Sequence, residues 1–358
     1  MKIFDKYNLK NIELANRIAM APMTRSRAVN PEGKAEDIMA TYYGQRASAG
    51  LLITEGVFIN EMAVGYINVP RIQTQEQTDS WKPVANEVHT KDGKIFMQIW
   101  HVGASSHPSI LGGKLPLSPS GVNPNIKVYA DGGFVDTVAP KEMSLEEIYS
   151  TIKDFGIAAK NAIDAGMDGV EIHAANGYLV NQFFQKNTNT RIDEYGGNIE
   201  NRSRFLFDIL DEIQKHIPIE KVGVRFSPIV DGFGVKYDDE TDDLYRYITQ
   251  KINKQYNVAY LHYNGIVDPS IKTPHEKVIN IAKCMREDYN GTIIINTGLT
   301  KEVASEILDK GYADIFAFGV PFIANPTFVE KLEKDIPLTQ PNPDYFYTGG
   351  AEGYITYE

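Results

Sequence analysis

The sequence predicts a (β/α)8 TIM barrel, built as a single domain over residues 1–358 with long excursions after the third and fourth strands. Three observations point there. Eight short β-like runs (17–20, 51–54, 95–100, 169–173, 222–226, 258–262, 292–296 and 314–318) are separated by helical or loop segments. Within those runs the side chains alternate so that one face is aliphatic and the other turns polar towards the carboxyl end. No Ser/Gly linker, charge run or internal repeat divides the chain.

The parity is clearest in three strands. Val222 and Val224 share one face, and Gly223 and Arg225 the other. Val170 and Ile172 oppose Glu171 and His173; Ile95, Met97 and Ile99 oppose Phe96, Gln98 and Trp100. The aliphatic faces suit packing under helices, which leaves the polar strand ends to line a barrel mouth. Helical periodicity is strongest at 145–164, 201–216, 277–286 and 301–310. Ser144 with Glu147 forms a capping box, and Gly166 and Gly311 are placed to end two helices. Two connections, 102–140 and 174–200, exceed ordinary βα loops. The first, rich in Gly, Pro, Ser and Asn, is expected to form a lid or hairpin over the mouth. The aromatic, glycine-rich tail 337–358 is expected to fold back on the barrel.

Composition narrows the function. The formal net charge of −11 argues against nucleic acid or an anionic membrane as partner. A single cysteine, Cys284, excludes a disulfide framework and cysteine-held iron–sulfur or structural zinc centres; it is expected to be a helix packing residue. No apolar run approaches membrane-spanning length and residues 1–10 lack a signal-peptide core, so a cytoplasmic location is expected.

The stretch 169–182 carries the chemistry. A buried strand ends at His173 and passes into a loop holding Asn176 and Tyr178. Two hydrogen-bond donors and a weak acid suit a reaction in which a carbonyl oxygen gains charge and a carbon gains a proton. The competing reading is that His173 and Asn176 tie down the loop. The same mouth gathers Thr24, Gly56, Gln98, Trp100, Arg225, Gly298 and Gly319. Gly298 and Gly319 follow strands seven and eight, where backbone N–H groups of such barrels often hold a phosphate. A guanidinium buried at a strand end needs an anion. For Arg225 this is either Glu171 or a cofactor ring that becomes negative on reduction. At ~4 Å and an effective dielectric of ~20 the latter pairing gains about 4 kcal/mol before desolvation. Gln98 could read a planar heterocycle, with Trp100 and Tyr66 as pocket wall. His101, His107 and Glu171 make no recognisable metal set, so no metal is expected.

Several stretches, taken together, resemble the old yellow enzyme family of FMN-dependent alkene reductases over essentially the whole chain. They are Asn16-Arg-Ile-Ala-Met-Ala-Pro-Met-Thr-Arg25, Gln98-Ile-Trp-His101, Glu171-Ile-His-Ala-Ala-Asn-Gly-Tyr178, Asn189-Thr-Arg-Ile-Asp-Glu-Tyr-Gly-Gly197 and Ala351-Glu-Gly-Tyr354. The tail Phe346-Tyr-Thr-Gly-Gly-Ala-Glu-Gly-Tyr354 is most similar to the N-ethylmaleimide and nitrate-ester reductase branch. The resemblance implies non-covalent FMN across the mouth, held at its ring by Pro22, Thr24, Gly56, Gln98 and Arg225 and at its phosphate by Gly298, Gly319 and Val320. It implies a substrate pocket walled by Tyr66, Trp100 and Tyr347. His173 and Asn176 would hold the substrate oxygen and Tyr178 would be the proton donor. NADPH is the implied reductant, and hydride from flavin N5 would reduce the C=C bond of an α,β-unsaturated carbonyl or nitro compound. The chain departs from the family at Val320, where many members carry an arginine that pairs with the phosphate. Phosphate binding would then rest on backbone N–H groups or another cation. The alternatives are a flavin-free phosphate-binding barrel lyase or isomerase and a non-catalytic flavin-binding protein.

Overall fold

The structure, a computed structural model, describes residues 2–130, 132–229, 231–265 and 275–358. All eight expected runs become parallel strands of one closed barrel. They are β1 (Ile18–Met20), β2 (Leu51–Phe58), β3 (Ile95–Trp100), β4 (Gly169–Ala174), β5 (Val222–Phe226), β6 (Tyr260–Asn264), β7 (Ile293–Asn296) and β8 (Ile315–Phe318). Each pairs with its neighbours in sequence and β8 closes on β1.

Side-chain parity sorts the core into two clusters. Outward-facing Met97, Ile99, Val170, Ile172, Val222 and Val224 join the layer under the helices. Phe96, Tyr260, Ile53, Ile294 and Ile315 fill the barrel interior with Leu9 and Leu14. The last two come from an amino-terminal hairpin, Tyr7–Leu9 paired with Ile12–Leu14, that the sequence reading did not single out. Gly223 sits opposite Tyr260, and a Cβ there would meet the Tyr260 ring at 2.3 Å, so the glycine makes room for the interior aromatic.

The helix 145–164 shows how sequence makes the outer layer. Ser144 caps it, with its side chain accepting from the Glu147 N–H, and Glu147 returns the bond to the Ser144 N–H at 2.9 Å. Ile148, Ile152, Phe155, Ala159 and Ala162 recur at helical spacing and are all buried. Truncating Phe155 to alanine would cost about 3–5 kcal/mol. The helix ends in paired bonds, Gly166 N–H to Ile163 at 2.9 Å and Met167 N–H to Ala162 at 3.1 Å, made possible by φ +95° at Gly166. Gly311, at φ +70°, ends Lys301–Asp309 in the same way.

Three expectations need adjustment. β2 runs four residues past the expected end, with a bulge between Ile53 and Gly56 that returns Gly56 to the interior beside Gln98. β6 begins and ends two residues later than 258–262, which brings Asn264 into the strand. Cys284 is exposed on the helix His275–Asp288 and is not a buried packing residue.

The excursion after β3 contains the expected hairpin, Lys127–Ala130 paired with Gly133–Asp136. It also packs on the excursion after β4. Arg191 donates to the carbonyls of Pro119 and Met143 at 2.9 and 2.6 Å, and pairs with Asp193. The tail does fold back: buried Arg25 donates to the Gly353 carbonyl at 2.8 Å, and the Tyr42 and Tyr354 rings stack at 4.1 Å.

Candidate active site

Trp100 ends β3 with its indole in the mouth, at the centre of an aromatic wall. It stacks on Phe58 at 5.0 Å and Tyr66 at 5.4 Å, and lies 5.7 Å from the His173 ring. Tyr178 meets it edge-on at 4.7 Å and meets His173 at 5.0 Å. The indole fits because Gly56 has no side chain; a Cβ there would lie 2.2 Å from the ring. The glycine thus has a packing reason of its own, whatever else it touches.

Beneath the wall lies a layer of buried polar groups. The Glu171 carboxylate accepts from Gln98 Nε2 at 2.8 Å through one oxygen and meets His262 Nδ1 at 2.8 Å through the other. Burial raises the Glu171 pKa, but His262, Arg225 and Gln98 outweigh it and hold the carboxyl below its ordinary value. Burial keeps His262 neutral, its pKa lowered despite Glu171. Glu171 is therefore satisfied by His262 and Gln98 and makes no ion pair with Arg225.

Arg225 is left short. Its Nη2 reaches Asn296 Oδ1 at 3.3 Å, and its Nε, fully enclosed, has no partner. Its neighbours across the strand register are His173 and His262. Trp100 Nε1 and His173 Nδ1 are likewise buried without partners. Unsatisfied buried polar groups cost about 1–3 kcal/mol each, more for a charged group, and three in one mouth call for something that completes them.

The stretch from His173 to Tyr178 holds three groups in defined states. His173 is neutral, its pKa driven well down by burial and then by Arg225 and His262. Tyr178 keeps its proton, its pKa driven well above 10.0 by burial and Tyr66. Its phenol lies 3.0 Å from the Tyr66 oxygen. Asn176 sits in the left-handed region at φ +58°, its N–H donating to Ser227 Oγ at 2.8 Å. Its Oδ1 accepts from Asn264 Nδ2 at 3.1 Å, and Asn264 Oδ1 accepts from Thr297 Oγ1 at 2.6 Å.

The remaining predicted residues lie around the rim. Pro22 and Thr24 are half-buried in the loop after β1. Gly298, at φ +66°, and Gly319 follow the adjacent strands β7 and β8. Val320 starts the short helix Val320–Ala324 and is 49 % exposed. Tyr347 is 61 % exposed on the tail, close enough to raise the pKa values of Tyr66 and Tyr178. The structure adds Asn264, His262, Asn296 and Thr297, which sequence reasoning missed. Strand parity carried to Asn264 would have found two of them, since His262 and Asn264 share the interior face. Among the described residues no group of three His, Cys, Asp or Glu is arranged to hold a metal, and no helix is long and apolar enough to cross a membrane.

Known proteins match the chain along almost its whole length. The family model "NADH:flavin oxidoreductase / NADH oxidase family" matches residues 2–339. The 12-oxophytodienoate reductase 2 of Arabidopsis thaliana is 37 % identical, over 98 % of this chain and 94 % of that protein. Among solved structures, morphinone reductase in complex with tetrahydroNAD matches with a TM-score of 0.92 and 37 % identity, covering 100 % of this chain and 97 % of that one. The old yellow enzyme homologue from Zymomonas mobilis matches with a TM-score of 0.94 and 33 % identity, covering 100 % and 99 %.

Proposed function

Because the chain belongs to the NADH:flavin oxidoreductase / NADH oxidase family, that of the old yellow enzyme-type alkene reductases, we propose that it reduces activated C=C bonds with FMN as cofactor and NADPH as reductant. The substrates are α,β-unsaturated carbonyl or nitro compounds. When bound, FMN supplies the hydride chemistry, taking two electrons from the nicotinamide and passing them to the substrate carbon.

The residues present fit that cofactor. Arg225, with its unpartnered Nε, offers a fixed positive charge where a ring that gains negative charge needs one. Gln98, its Nε2 engaged by Glu171, keeps its amide oxygen for a ring N–H. Pro22, Thr24 and Gly56 line the same rim. Gly298 and Gly319 offer backbone N–H groups to the phosphate, and Val320 adds no charge there.

The observation that carries the reading is the trio His173, Asn176 and Tyr178 on one aromatic wall. A neutral imidazole and a carboxamide are both donors to an oxygen acquiring charge. Neither brings a proton acidic enough to protonate the substrate in its ground state. Tyr178 holds its proton until a carbon becomes basic enough to take it, and Tyr66 hydrogen-bonds the phenol throughout. The wall of Trp100, Tyr66 and Tyr347 suits a flat, apolar substrate and limits water. A flavin-free lyase or isomerase would need a free lysine or carboxylate in the mouth, and Glu171 is already engaged on both oxygens.

The test is nicotinamide consumption by the FMN-loaded protein without oxygen. NADPH is expected to be oxidised, with the saturated product formed in equal amount, only when an enone is added, and NADH to serve less well. A protein that takes up FMN but never couples the two would be a flavin carrier and would refute the proposal.

A further inference from the structure

We propose that Asn264 and Thr297 are positioning residues that set which end of the Asn176 carboxamide faces the substrate; the inference rests on the function proposed above. A carboxamide can present either an acceptor oxygen or a donor NH2 group, and only the second stabilises an oxygen that gains negative charge. Nothing in Asn176 itself makes that choice. Its neighbours do. Asn264, 4 % exposed at the carboxyl end of β6, donates from Nδ2 to Asn176 Oδ1 at 3.1 Å. Asn264 is itself oriented from β7, because the Thr297 hydroxyl donates to its Oδ1 at 2.6 Å. With the Thr297 hydroxyl donating, the Asn264 oxygen is taken, and its NH2 end faces Asn176 and claims the Asn176 oxygen. The Asn176 NH2 group is then the free end, and no described residue accepts from it.

Thr297 holds a backbone that a β-branched residue rarely adopts, at φ +81°. Asn176 is also left-handed, at φ +58°. The two strained residues are the ends of the chain of bonds, with Asn264 between them. Thr297 directly precedes Gly298, so the relay joins the loop proposed for the phosphate to the group proposed to hold the substrate oxygen.

Asn264→Asp tests it. A carboxylate still accepts from Thr297 but can only accept from Asn176, which turns the Asn176 oxygen into the mouth. The readout is equilibrium binding of 4-nitrophenolate, an acceptor, against 4-nitroaniline, a donor of similar shape, to FMN-loaded protein. The variant is expected to lose nitrophenolate affinity about tenfold or more and to hold nitroaniline as well or better. Thr297→Val, which keeps the shape and removes the hydroxyl, is expected to weaken nitrophenolate several-fold, and Thr297→Ser to restore it. In an Asn176→Ala background Asn264→Asp is expected to add no further loss. Equal loss of both probes, or full additivity with Asn176→Ala, would overturn the relay and leave Asn264 a structural residue. Failure of the unmodified protein to bind nitrophenolate would instead remove the oxygen-binding role of Asn176 and the relay with it.

Discussion

The phenolic oxygens of Tyr66 and Tyr178 stand 3.0 Å apart, beside the Trp100 indole. Either phenol can donate, and burial keeps both protonated. Tyr178 lies next to His173, and Tyr66 does not, so the two should separate kinetically. Tyr178→Phe is expected to retain FMN and its reduction by NADPH while slowing alkene reduction about 10²-fold or more. Tyr66→Phe removes one hydrogen bond from the donor and should cost about tenfold or less. Stopped-flow measurement of the two half-reactions checks both. Undiminished alkene reduction in Tyr178→Phe would mean that the proton comes from elsewhere.

The substrate oxygen gives a second separation. His173→Ala removes a donor whose imidazole is neutral, so the loss should not depend on its titration near neutral pH. Nitrophenolate binding is expected to weaken about tenfold. An unaltered dissociation constant by absorbance titration would take the oxygen-binding role away from His173.

Glu55 sits in the bulge of β2, completely buried, with Oε2 accepting from the Arg25 N–H at 3.3 Å and Oε1 unpartnered. Burial raises its pKa from 4.5 to about 7. A carboxyl held above its unfolded value binds its proton more tightly in the folded state. Its stabilising contribution is therefore full below about pH 4.5 and is lost as pH rises through about 7. The difference amounts to about 3 kcal/mol. Glu55→Gln is expected to match the parent at about pH 4 and to exceed it by up to ~3 kcal/mol at about pH 8. His101, His173 and His262, whose depressed pKa values remove stability as pH falls below 6.5, contribute equally to both proteins and cancel. Urea unfolding at the two pH values is the measurement. Equal stability at the higher pH would mean that Arg25 and Arg27 already neutralise the carboxylate.

Why the sequence yielded the barrel but only part of the site follows from these residues. Parity and helix punctuation are local, so 145–164 and its caps could be read directly, and eight runs with one aliphatic face imply closure. Gly56 falls in the mouth as a residue beyond the expected strand end, but the bulge in β2 that puts it there breaks parity and could not be read. The partner of Arg225 could not be read either. Glu171 was a fair candidate by charge, but strand register gives its two oxygens to Gln98 and His262. The relay through Asn264 to Thr297 joins residues from three strand ends, and no periodicity along one segment encodes such a contact.

Gly56 tests whether that packing has consequences. A Cβ at 2.2 Å from the Trp100 ring cannot be accommodated without moving the indole. Gly56→Ala is expected to destabilise the fold by about 1–3 kcal/mol, as overpacking does. It should also disturb the wall, lowering affinity for apolar enones more than for FMN. Trp100 and Trp81 are the chain's two tryptophans, and Trp81 is fully buried elsewhere, so a change in fluorescence would report the displaced indole. Unchanged stability and emission would mean that the backbone of β2 yields at its bulge.

Val320 makes the proposed phosphate site unusual, because the residue directly after Gly319 is apolar and 49 % exposed. Backbone N–H groups can hold a phosphate without help, but a guanidinium adds two parallel charge-assisted bonds. Val320→Arg is therefore expected to lower the FMN dissociation constant about tenfold, a gain that salt reduces because the position is open to solvent. Riboflavin has the same ring and no phosphate, so its affinity should not change. Isothermal titration of the apoprotein with both flavins separates the cases. If Val320→Arg tightens neither, the phosphate lies away from the β8 end; if it tightens both, the arginine acts on the ring and the division of roles between Arg225 and the β7–β8 loops is wrong.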